Sequence, residues 1–188
     1  MKKKKLLPLA LYVVLLVALL LVYFVLRNHN ETAEEDTDTV IQVLDVAASD
    51  VTSISFKIEE QEETFILKDN IWKLEKDESF EVDGDKLDSL VSAITGMTAI
   101  RKLEEVTDIG EYGLDQPVQT AVLTEQNGNT HTVYWGSSNA STSADYIYLD
   151  NQTDIVYTIS YSVLESFSED LENYREQEEE TSEEGGAD

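Results

Sequence analysis

Hydrophobic and polar positions fall into three regimes along the chain. Leu6 to Leu26 holds no charged residue, with Lys2, Lys3, Lys4 and Lys5 before it and Arg27 after it. A helix of that length, at about 1.5 Å per residue, is about 30 Å long and matches the hydrocarbon core of a bilayer. From residue 27 to about 50 the chain is polar and acidic, without apolar periodicity until Val40–Val46, and predicts a spacer leading into a strand or connector. Beyond Val51 short alternating and helical patterns succeed one another up to Arg175.

Ile54, Phe56 and Ile58 alternate with Ser53, Ser55 and Lys57, which predicts a half-buried strand over Val51 to Ile58. Thr64–Lys68 and Ile71–Glu75 predict two more strands, joined at Asp69-Asn70 by a tight turn with positive φ. Leu87, Leu90, Val91, Ile94 and Met97 recur at helical spacing, with Asp83 as N-cap and Gly96 at the stop. Ala99 to Val106 predicts a strand, and Asp108–Gly113 a short helical turn ended by Gly113. Val118–Gln126 and Thr130–Trp135 flank Asn127-Gly128 as a hairpin, and Tyr146–Leu149 and Ile155–Ile159 flank a longer hairpin loop. Ser162 with Glu165 matches a capping box, and Leu164, Phe167, Leu171 and Tyr174 extend it as a second helix. The expected fold class is α+β: a largely antiparallel sheet over residues 51–175 with two packed helices, preceded by one N-terminal transmembrane helix over 6–26. Residues 176–188 predict a disordered acidic tail.

Charge orients this picture. Four lysines before the apolar run against one arginine after it place residues 1–5 in the cytoplasm and the domain outside, as a single-pass signal anchor in the cell membrane. Five of the 13 basic residues precede Asn28 and all 39 acidic ones follow it, so the remainder carries a net charge of −31. Such a surface repels nucleic acid. The chain has no cysteine, hence no disulfide and no thiol chemistry.

Candidate chemistry is sparse. His29 and His131 stand in unrelated contexts, and no zinc-protease, phosphate-loop or dinucleotide fingerprint occurs. Hard oxygen ligands cluster at Asp83, Asp85 and Asp88 and at Asp150 and Asp154, the only grouping that suggests calcium, without EF-hand spacing. Tyr134, Trp135, Tyr146 and Tyr148 form aromatic-rich strands suited to a partner-binding surface. No catalytic residue and no cofactor site is expected.

The run Tyr112-Gly113-Leu114-Asp115-Gln116-Pro117 has its own turn physics: Gly113 can take the left-handed conformation, Leu114 can plug a core, Asp115 can bond nearby backbone and Pro117 stiffens the start of the next strand. Together with Trp72, Trp135-Gly136 and Tyr146-Ile147-Tyr148, this run resembles a bacterial family, the domain of unknown function 4340, over most of Val51 to Arg175. The resemblance implies a membrane-anchored or exported protein, auxiliary to ABC transporter components, and supplies no catalytic residue. The expected function is a non-enzymatic extracytoplasmic interaction module with an ABC transporter subunit or other membrane complex as partner. The alternative is a calcium-binding envelope protein, and a cell-wall hydrolase ranks below both.

Overall fold

The computed structural model describes Leu16 and residues 40–177. Residues 40–177 form one folded unit. The predicted membrane segment 6–26, His29 and the tail beyond residue 177 lie outside the described residues, Leu16 apart. Among the described residues no helix is long and apolar enough to cross a membrane.

Ten strands form one sheet: β1 (Ile41–Gln42), β2 (Val51–Ile58), β3 (Gln61–Lys68), β4 (Ile71–Leu74), β5 (Asp77–Glu81), β6 (Thr98–Leu103), β7 (Gln119–Glu125), β8 (Thr130–Asn139), β9 (Ala144–Leu149) and β10 (Val156–Ser160). Their order is β1-β6-β10-β9-β8-β7-β2-β3-β4-β5, and the neighbouring pairs run antiparallel. Within residues 40–177 one α-helix, α1 (Gly84–Thr95), carries the chain from β5 at one edge to β6 near the other. Val43 and Leu44 stand in the core, within the stretch that the sequence pattern reads as a spacer leading into a strand or connector.

The local signals account for these elements. Strand β2 holds its predicted bounds, and Asp69 and Asn70 take φ of 50° and 62° in the β3–β4 turn. Glu59 and Glu60 do the same between β2 and β3, although neither residue type advertises a left-handed turn. Helix α1 begins at Asp83, whose side chain accepts a hydrogen bond from the Lys86 amide at 3.0 Å. Asp83→Ala removes that cap and is expected to lower stability by about 1 kcal/mol, read as an earlier denaturant midpoint. Strand β5 escapes the pattern because only Phe80 of its five residues is buried.

The principal core lies on the face covered by α1 and by residues 161–177. Ile54, Phe56, Phe65, Leu123, Val133, Trp135 and Ile147 face Leu87, Leu90 and Ile94 of the helix side and Tyr174 of the C-terminal segment. The predicted second helix is corrected here. Two single 3-10 turns, Leu164–Ser166 and Leu171–Tyr174, stand in its place, separated by extended backbone at Phe167. The reason is the reach of two aromatics. The rings of Phe167 and Tyr174 both lie on Phe56, at 5.2 and 5.4 Å. Seven residues apart on a helix they would stand about 10.5 Å apart along its axis. The segment folds around Phe56 instead, and the Ser168 amide donates to the Tyr174 hydroxyl at 2.8 Å.

A smaller apolar cluster occupies the opposite face. Strand β6 must reach β7 past β10, β9 and β8, and residues 104–118 make that passage. Leu114, Tyr148 and Val156 are its buried centre, with Ile109, Tyr112, Tyr134 and Tyr146 around them.

Candidate functional site

Two glycines bring the crossing segment onto strand β8. Asp108 accepts from the Gly110 amide at 2.8 Å and starts the turn Ile109–Tyr112, which Gly113 ends with φ of 69°. A β-carbon on Gly136 would collide with the Tyr112 carbonyl oxygen and stand 2.8 Å from Leu114 Cγ. Gly113 meets Ser137 in the same way. The Tyr-Gly-Leu turn and the Trp-Gly-Ser strand are therefore two halves of one close backbone packing. Val118 then joins the sheet by donating its amide to the Trp135 carbonyl at 2.8 Å.

The same contact lies at an irregularity in β8. Trp135 pairs with Ile147 but Ser138 pairs with Asp145, a register shift of one residue. The shift sets Ser138, rather than Ser137, opposite Asp145. Its hydroxyl donates to Asp145 Oδ1 at 2.5 Å. Asp145 is 0% exposed, and its Oδ2 has no hydrogen-bond partner. Burial pushes the Asp145 carboxyl above its ordinary range, and the Ser138 hydrogen bond offsets part of that rise.

Ser138 and Asp145 stand in the wall of an open cavity of about 390 Å³ between the β8–β9 hairpin and the C-terminal segment. Asn139 organises the hairpin turn through its side-chain oxygen, which accepts from the Ser141 amide at 3.0 Å, and its amide group donates to the Tyr146 hydroxyl at 3.3 Å. Tyr161 and Glu165 contribute from the other side. No basic side chain among the described residues lines this cavity. The lining combines the Glu165 carboxylate and serine hydroxyls with alanine and leucine surface, and Asp145 stands behind it.

This carboxylate has a measurable consequence. A carboxyl raised in the native state contributes stability that is fully present below its unfolded value, near the ordinary 3.8, and lost as pH rises through the native value. Asp145→Asn removes the titrating group and is expected to flatten that part of the profile. Glu104 and Glu125 work in the opposite sense, because hydrogen bonds from Lys102 and His131 hold their carboxyls low. Subtracting the wild-type profile of stability against pH from the mutant one isolates Asp145; a flat difference would refute the assignment.

The residues singled out from sequence scatter. Trp135 is 0% exposed and stands in the principal core, edge-on to Phe167, so its ring presents no outer surface. Tyr148 is 9% exposed and stacks on Tyr134 at 4.4 Å, within the smaller cluster on the opposite face. Tyr146 lies between Tyr112 and Asn139, next to the cavity strand. Asp83 caps α1, Asp88 accepts from Trp72 Nε1 at 2.8 Å, and Asp150 accepts from the Thr132 amide at 2.8 Å. Asp85 lies in the first turn of α1, and the Asp154 carbonyl accepts from the Val106 amide. Among the described residues no three His, Cys, Asp or Glu side chains converge to hold a metal ion. His131 pairs with Glu125 across the β7–β8 hairpin at 2.9 Å.

Sequence reading missed Ser138, Asp145, Tyr161 and Glu165 as a group. One signal was available. Asp145 shares the inward parity of Ile147 and Leu149, so a charged residue occupies a core-facing position of β9. Residues 72–183 match the family described as Domain of unknown function (DUF4340). No curated protein and no solved structure matches the chain.

Proposed function

This chain belongs to the DUF4340 family, and on that premise we propose that it is a membrane-anchored, extracytoplasmic, non-enzymatic interaction module serving a membrane complex of the ABC-transporter kind. The anchoring part of the proposal rests on the charge-free run Leu6 to Leu26 and its flanking lysines. The interaction part rests on one observation: a buried carboxylate with an unpartnered oxygen stands in the wall of an open cavity. A buried acceptor without a partner lowers stability, and a function in recognition gives a reason for keeping one. The turn Tyr112-Gly113-Leu114-Asp115 and the glycine at 136 hold β8 in the shifted register that builds this wall. The work of the site is to accept hydrogen bonds from a docking protein.

Photocrosslinking in intact membranes tests this. A crosslinking amino acid is placed at Tyr161, on the cavity rim, or at Asp69, on the β3–β4 turn several strands away. The expected result is one reproducible adduct from position 161, identified as a membrane-embedded subunit, and none from position 69. Equal adducts from both positions, or none from 161, would remove the proposal.

A further inference from the structure

We infer that the Asp145 cavity recognises a primary ammonium group, the side-chain head of a lysine on the partner protein. This inference rests on the interaction-module reading and names the chemistry of its site. In its ionised form the Asp145 carboxylate only accepts hydrogen bonds, so the group that completes that form must be a donor. Glu165 adds a second carboxylate to the lining, no basic residue of the described chain opposes them, and the chain beyond Asn28 carries a net charge of −31. A cation is steered to such a site and an anion is repelled.

The choice between the two cationic side chains follows from the oxygens. Arginine binds a carboxylate best as a fork, with two parallel N–H donors meeting two oxygens. Asp145 Oδ1 already accepts from Ser138 at 2.5 Å, so Oδ2 is the oxygen without a partner. A single acceptor suits the compact ammonium, which donates in three directions and needs no planar match. Ser138, Asn139 and Ser143 supply further oxygens nearby, and Ala140, Ala144 and Leu164 offer apolar surface along which four methylenes can lie. A cavity of about 390 Å³ holds one such side chain and excludes a folded element. Oδ2 is sealed from solvent in this structure, so the cavity wall must shift before an ammonium reaches it.

Calorimetric titration of the full-length chain in detergent micelles provides the test. The probes are the N-methylamides of Nα-acetyl-lysine, Nα-acetyl-arginine and Nα-acetyl-norleucine. Saturable binding of the lysine probe, at least tenfold tighter than the arginine probe and absent for norleucine, is the expected result. Asp145→Asn should abolish it. Ser138→Ala, which frees Oδ1, should narrow the preference over arginine. If Asp145→Asn does not fold, Glu165→Gln takes its place and should weaken the lysine probe severalfold. Free n-butylamine separates the sources: a bare amine that binds as tightly as the lysine probe points to a small-molecule amine and overturns the lysine assignment. No saturable lysine heat, equal binding of arginine, or binding unchanged in both acidic variants would also overturn it. If the ammonium chemistry fails while the Tyr161 crosslink persists, the module reading stands and only its ligand chemistry falls; loss of both removes the two together.

Discussion

Tyr174→Ala is expected to lower the stability of the domain by about 3–5 kcal/mol, the range for removing a fully buried aromatic side chain. Tyr174 is 0% exposed, packs on Phe56 at 5.4 Å and on Phe65 at 5.6 Å, and has Lys86 Nζ over its ring at 5.1 Å. It also pins the segment around residues 171–177 to the β5 edge, where Val82 and Arg175 form a bridge and the Asp83 amide donates to the Tyr174 carbonyl. For a chain of this size the melting temperature should fall by roughly 6–20 °C. Tyr174→Phe retains the ring and loses only the acceptor for the Ser168 amide, so about 1 kcal/mol is expected. The effect reaches the cavity, because the segment that Tyr174 anchors also carries Tyr161, Leu164 and Glu165. Thermal melting of the full-length protein with near-ultraviolet circular dichroism checks this, and an alanine variant that melts with wild type would refute the anchoring role.

Gly136→Ala is expected to cost about 3 kcal/mol, at the upper end of overpacking. The obstacle is backbone: the new methyl would strike the Tyr112 carbonyl oxygen, with Leu114 behind it. Neither group can move without lifting the crossing segment off β9 and β10. At Gly113 the physics differs. A side chain there meets the cost of a left-handed φ, about 1–2 kcal/mol, and the Ser137 hydroxyl, with the Ser137 backbone nitrogen at 3.0 Å behind it. Gly113→Asn tolerates that φ better than Gly113→Ala and should recover part of the loss. Because the two glycines hold the register that brings Ser138 to Asp145, Gly136→Ala should also weaken lysine-probe binding beyond what unfolding removes. Denaturant titration gives the stability, and titration of the folded fraction gives the binding. A variant that matches wild type in both would sink the proposed coupling between turn and cavity.

The hydrophobic pattern found most of the sheet and α1, and residue identity found the turns at Asp69-Asn70 and Gly113 and the Asp83 cap, because each depends on neighbours a few residues away. The Asn127-Gly128 hairpin also formed, as a longer loop closed by the Glu125 amide on the Asn129 carbonyl at 2.9 Å. Strand β5 was illegible because an edge strand with one buried residue writes no alternation. The C-terminal stripe misled in the other direction: Leu164, Phe167, Leu171 and Tyr174 have helical spacing, yet two of them converge on a single Phe56 ring.

The sequence by itself determined which residues are apolar, where the backbone can turn left-handed and how the charge divides at Asn28, since composition and local conformational preference suffice for these. Tertiary structure alone decided that Trp135 is core, that Ser138 rather than Ser137 faces Asp145, and that Glu165 and Tyr161 meet them across a cavity. The physical reason for the Ser138–Asp145 pairing is the one-residue shift in β8. It arises where residues 112–114 pack against residues 136–137, and a contact between segments more than twenty residues apart leaves no periodic trace in either.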